Sequence, residues 1–129
     1  MVRLPRRSLQ VDVAGNLPVV TFSAAALRQV VSVLVANSVE HGEGTVSLAA
    51  TVVESAIVIE VHDEGRGIKS DIEVAFSRRA DRDSSRGIGL ALARSLAEAE
   101  GGTLVYLAEP PRFLVTIPAE YPVMRKVNG

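Results

Sequence analysis

A chain of 129 residues with 47% hydrophobic side chains is long enough for one buried core and too apolar for a disordered segment. A net charge of -1 gives no reason to expect a polyanionic partner, and an aromatic content of 4% is too low for a base-stacking nucleic-acid platform. The absence of cysteine excludes disulfides, thiolate metal sites and cysteine nucleophiles. Apolar runs are too short to span a bilayer. The expectation is a single domain over residues 1–129, with no direct membrane insertion and no nucleic-acid partner, and the lack of cysteine is compatible with a cytoplasmic location.

From the N-terminus, Leu9 to Val13 alternates and Val19 to Phe22 is β-rich, with Gly15-Asn16-Leu17-Pro18 between them. This predicts two short strands joined by a turn. From Ser23 to about His41 the period changes to that of a helix, marked by Leu27, Val30, Val31 and Leu34; Ser23 is a suitable cap and Gly42 a suitable stop. Asn37 and His41 lie one turn apart on the side of Val30 and Val33, so they emerge where this helix leaves the core and meets a cavity. Taken singly, each has a plainer reading: an amide bonding to local backbone, and a ring that suits the helix C-terminus.

Thr45 to Val53 and Ala56 to His62 read as strands around a tight turn at Glu54-Ser55. In the second strand Ile57, Ile59 and Val61 share a face, and the same period puts Asp63 on it. A carboxylate aimed at an apolar layer needs a donor, and Gly65 and Gly67 just after it let a flat ligand approach the backbone. The segment D-E-G-R-G thus describes a pocket with an acidic floor, or, more plainly, a turn.

Ser70 to Phe76 reads as a short helix, and Ser77 to Arg86, without periodicity, as a mobile loop whose arginines suit phosphate oxygens. Gly87-Ile88-Gly89-Leu90-Ala91-Leu92 then opens a second long helix to about Glu100, with Ile88, Leu92, Leu96 and Ala99 as its apolar series. A Gly-rich entry into a helix offers free amide groups and suits an anion. Thr103 to Leu107 and Phe113 to Ile117 close the domain as a hairpin.

The order of these segments resembles the ATP-binding domain of sensor histidine kinases, within the superfamily that includes gyrase, the Hsp90 chaperones and MutL. Leu27 to Gly42 looks like the N box, Asp63 to Ile68 the first glycine box and Gly87 to Leu92 the second. The resemblance implies a two-layer α/β sandwich of the Bergerat type, its mixed and mostly antiparallel sheet carrying helices on one face. It further implies that Asp63 accepts the adenine amino group, that Gly65, Gly67 and Ile68 form the wall beside the base, and that Asn37 holds Mg²⁺. His41, Arg79, Arg86, Gly87, Ile88, Gly89 and Leu90 are implied around the phosphates of ATP, with Asn37, His41 and Arg79 the catalytic group and the glycines a hinge for the lid.

Two positions depart from the family pattern. Val33 stands where family kinases carry a second Asn, and Glu40 where they carry Lys or Arg. Both changes remove groups that help to hold metal or phosphate, which implies weak affinity for ATP. In hydrolysing relatives a Glu at the position of Val33 serves as general base; valine cannot, which favours phosphoryl transfer over hydrolysis.

The only histidines are His41 and His62, neither in an H-E-x-x-x-P setting. The resemblance therefore implies a phosphoacceptor on a histidine-bearing dimerisation domain elsewhere in a longer kinase or on a partner protein, with a response regulator downstream. Two alternatives remain: an anti-sigma-factor-type serine kinase of the same superfamily, and a non-catalytic nucleotide-binding interaction module.

Overall fold

The computed structural model describes residues 8–68, 72–77 and 85–119. Its sheet has five strands: β1 (Leu9–Val13), β2 (Val46–Val53), β3 (Ala56–His62), β4 (Thr103–Ala108) and β5 (Pro111–Pro118). Their spatial order is β1-β2-β3-β5-β4, with β1 parallel to β2 and every other pair antiparallel. Three helices, α1 (Ala24–His41), α2 (Ile72–Ser77) and α3 (Ser85–Ala99), join them. The sandwich and its mixed, mostly antiparallel sheet agree with expectation.

Alternation within the strands sets the layers. Val46 and Ala50 of β2, Ile57, Ile59 and Val61 of β3, and Phe113, Val115 and Ile117 of β5 are buried in one cluster with Val30, Leu34, Phe76, Leu90, Ala93 and Ala97 of the helices. The register pairs Leu48 with Val61 and Ala50 with Ile59, so these apolar residues share the helix-covered face. The opposite face, with Thr51, Val53 and Val105, is exposed.

α1 begins and ends where its chemistry dictates. The Ala26 N–H donates to Ser23 Oγ at 3.1 Å, a cap worth about 1 kcal/mol, and the Gly42 N–H closes the last turn on the Ser38 carbonyl at 2.9 Å. Its buried stripe is Ala26, Val30, Leu34 and Ser38, while Val33, beside that stripe, is half-buried.

Three expectations need correction. Residues 19–22 form no strand; Val20 and Phe22 instead pack side-on against the core, and β1 pairs with β2 across α1, not with its sequence neighbour. Local β propensity registered the burial of Val20 and Phe22 and mistook it for pairing. Secondly, α3 begins at Ser85, so Gly87 and Gly89 lie inside the helix and not in a loop before it. Thirdly, the core face of α3 is Leu90, Ala93 and Ala97, and Leu92 is 43% exposed. Small alanines face inward here, where α3 packs closely against α1 and β4. Past Ala99 the helix is closed by Gly101, φ 87°, and the Gly102 N–H reaches the Ala97 carbonyl at 2.8 Å.

Candidate functional site

β3 delivers Asp63 to the end of the sheet, one residue past His62, and the loop after α1 meets it there. Asp63 Oδ1 accepts the Gly65 N–H at 2.7 Å and the Glu43 N–H at 3.3 Å. The backbone of the two segments is joined as well, since the Glu64 N–H donates to the Glu43 carbonyl at 2.8 Å. The Thr45 N–H in turn donates to Glu64 Oε1 at 3.2 Å. Donors hold one oxygen of Asp63 fixed, and among the described residues its hydrogen bonds all fall on that oxygen. Oδ2 remains an oriented acceptor.

Glycines make this meeting possible. A Cβ on Gly42 would overlap the Asp63 carboxylate, and one on Gly44, where φ is 70°, would overlap that of Glu64. Motif reading gave Gly42 only as a helix stop and Glu64 only as a member of the first glycine box, and it assigned Gly44 no role. Their role is set by a contact twenty residues away in sequence, and Gly42 reads locally as nothing more than a helix stop.

Beyond Asp63, the loop to Ile68 is held at its far end by a residue that sequence reasoning also missed. The Ile68 N–H donates to Tyr106 Oη at 2.8 Å. Gly67 has φ 88°, and a Cβ there would meet Tyr106 Oη and Pro111. The one available signal was the Leu104/Tyr106 alternation, which puts a tyrosine on an inner face where its hydroxyl needs a partner.

On the helical side, Gly89 lies over Val33: a Cβ on Gly89 would stand 3.4 Å from Val33 Cγ1. Val33, Asn37 and His41 follow at four-residue intervals, so the α1 face bearing Asn37 and His41 continues from the point where the first turns of α3 cross it. Asn37 is half-buried, whereas His41 is exposed with Nε2 3.4 Å from Glu40 Oε1. Leu90 sends its side chain into the core. Gly87 and Ile88 are among the first four residues of α3, whose amide N–H groups have no partner within the helix. Arg86, Gly87 and Ile88 are described by their helical backbone alone, and Arg79 lies outside the described residues.

The structure thus brings Asp63 and Gly65 together with the C-terminal end of α1, sets Gly67 and Ile68 against Tyr106, and separately apposes Val33, on the α1 face of Asn37, to Gly89 of α3. Among the described residues no three His, Asp or Glu side chains gather in a group that could hold a metal. No described helix is long and apolar enough to cross a membrane.

Residues 23–121 match the model of the histidine kinase-, DNA gyrase B- and HSP90-like ATPase family, and the chain belongs to that family. ATP is its nucleotide. Over 128 aligned residues the chain is 31% identical to a probable sensor histidine kinase, TcrY, of Mycobacterium tuberculosis, covering 90% of this chain and 27% of that protein. It is 34% identical to the sensor histidine kinase WalK of Bacillus subtilis, covering 78% of this chain and 17% of WalK. The chain therefore spans less than a third of these relatives. Among solved structures, Acinetobacter baumannii histidine kinase AdeS superposes with a TM-score of 0.72 at 21% identity, covering 89% of this chain and 55% of that one. The catalytic domain of histidine kinase ThkA also gives 0.72 at 21%, covering 86% and 78%. At such identity the likeness speaks for the fold.

Proposed function

We propose that this chain, taken over residues 1–129, is the catalytic ATP-binding domain of a sensor histidine kinase. It binds Mg-ATP and passes the γ-phosphoryl group to a histidine on a dimerisation domain, from which a response regulator takes it. The observation that carries this reading is the Asp63 carboxylate, one oxygen held by backbone N–H groups and the other left to accept from the adenine amine.

In this reading the base lies along the backbone of Gly65, Gly67 and Ile68. The triphosphate runs toward the Asn37 face and the first turn of α3, where the amide groups of Gly87 and Ile88 and the helix dipole favour negative charge. Arg79, between α2 and α3 in the sequence, and Arg86, in the first turn of α3, are the cations assigned to the phosphates, and His41 serves them from the end of α1. Gly89 and Leu90 seat α3 against α1 and the core.

The amide oxygen of Asn37 fits Mg²⁺, a hard cation that prefers oxygen and is bound by few protein groups when phosphates supply the rest. When bound, the ion neutralises charge on the phosphate oxygens. The partner imidazole nitrogen attacks the γ-phosphorus, the bond to the β–γ bridging oxygen breaks, and ADP leaves with that electron pair. The chain's own task is positioning and charge stabilisation. Val33, an aliphatic side chain packed by Gly89, offers no base to activate water.

Titration calorimetry with ADP and ATP, with and without Mg²⁺, tests binding. Incubation with γ-labelled ATP and a histidine-bearing dimerisation domain tests transfer. Label on the histidine supports the proposal; label confined to a serine of a partner, or no binding at millimolar nucleotide, contradicts it.

A further inference from the structure

The chain contains only three phenylalanines and two tyrosines, and three of these five rings stand in one row. Tyr106 of β4 tilts onto Phe113 of β5, centroids 5.0 Å apart, and Phe113 meets Phe76 of α2 edge-on at 6.2 Å. The Arg94 guanidinium of α3 caps the row, 4.7 Å from the Phe76 centroid. At the other end of the row, the Tyr106 hydroxyl accepts the Ile68 N–H at 2.8 Å. Gly67, at φ 88°, leaves the room this hydroxyl occupies.

From this arrangement we infer that Tyr106 is a positioning residue for the nucleotide: its hydroxyl fixes the Gly65–Ile68 backbone at the height where the base lies. The inference rests on the nucleotide reading above and names a residue outside the glycine boxes. Two side chains accept backbone N–H groups of this loop. Asp63 Oδ1 takes the Gly65 N–H and Tyr106 Oη takes the Ile68 N–H. Asp63 must also serve the ligand, whereas Tyr106 serves only the loop. Its ring is held by Phe113, so the hydroxyl is presented from a packed, low-entropy support. Without it, a half-buried N–H loses its acceptor and the wall beside the base loosens.

Tyr106→Phe removes one oxygen and keeps the ring. Compared with the unmodified chain, ADP titrated into Tyr106→Phe is expected to bind roughly five- to tenfold more weakly, in line with one lost hydrogen bond. Hydrogen exchange at the Ile68 amide should speed up by a similar factor, while most other sheet amides keep their protection. A purely structural role would instead lower protection across β4 and β5 together. If the unmodified chain binds ADP and Tyr106→Phe binds it equally well, the inference fails while the nucleotide reading stands; if the unmodified chain does not bind ADP, both fall. Should Tyr106→Phe prove unstable, the unmodified chain labelled at isoleucine nitrogen and tyrosine carbon decides. The Ile68 amide and Tyr106 ring resonances should shift together on adding ADP, and resonances that stay put overturn the inference.

Discussion

Asp63 rests directly against Gly42, so closely that the missing side chain of Gly42 is the space its carboxylate occupies. Gly42 itself has φ -97° and ψ -163°, ordinary extended backbone that alanine adopts without strain. The need for glycine at this position therefore comes from the carboxylate and not from the turn. Gly42→Ala should displace Asp63, at a cost of about 1–3 kcal/mol typical of an overfilled contact, and should reduce ADP affinity well beyond its effect on melting temperature. Calorimetry beside a thermal melt checks this; unchanged affinity would mean that Asp63 does not touch the nucleotide.

Glu64 anchors the same loop through its acceptor oxygen. Because the Thr45 N–H needs only an oxygen, Glu64→Gln should leave stability unchanged, whereas Glu64→Ala should cost about 0.5–1 kcal/mol. Urea denaturation of the two variants separates hydrogen bonding from charge.

At Asn37 affinity and stability should move in opposite directions. Alanine is the better helix former, so Asn37→Ala should hold or raise the melting temperature by an amount equivalent to about 0.5 kcal/mol. It should also abolish the enhancement of ATP binding by Mg²⁺ while leaving metal-free binding in place. Titrations at matched ionic strength, with the chelator as control, read this out.

Gly89 sits inside α3 although glycine is a poor helix residue. Alanine there would stand 3.4 Å from Val33, an ordinary contact, so Gly89→Ala should stabilise the fold by about 0.5–1 kcal/mol. If this turn of α3 yields when nucleotide enters, the same variant will slow ADP association in stopped-flow measurements while melting higher.

Elements defined by their own period were legible in the sequence. The alternation Ile57, Ile59, Val61 gave the strand that aims Asp63, and Ser23 and Gly42 gave both ends of α1. What local pattern could not carry was partnership at a distance. The pairing of β1 with β2 spans a whole helix, and the inward face of α3 uses alanines because of what packs on either side of it. Gly42, Glu64 and Tyr106 owe their roles to contacts made only after folding. The motif positions marked where a ligand belongs; the residues that hold those positions in place came from the fold.

The most direct trial of the account exchanges the base against the side chain that reads it. In Asp63→Asn the amide oxygen can keep the Gly65 and Glu43 N–H groups, which leaves an NH₂ where Oδ2 stood. An amine on the purine then faces a donor, while the carbonyl of hypoxanthine faces a match. Titrating ADP and inosine diphosphate into both proteins should show the unmodified chain preferring ADP, and Asp63→Asn losing ADP affinity by about tenfold or more while gaining on inosine diphosphate. Equal affinity of the two proteins for ADP, with Asp63→Asn folded, would contradict the assignment of Asp63 to the base and with it the proposed function.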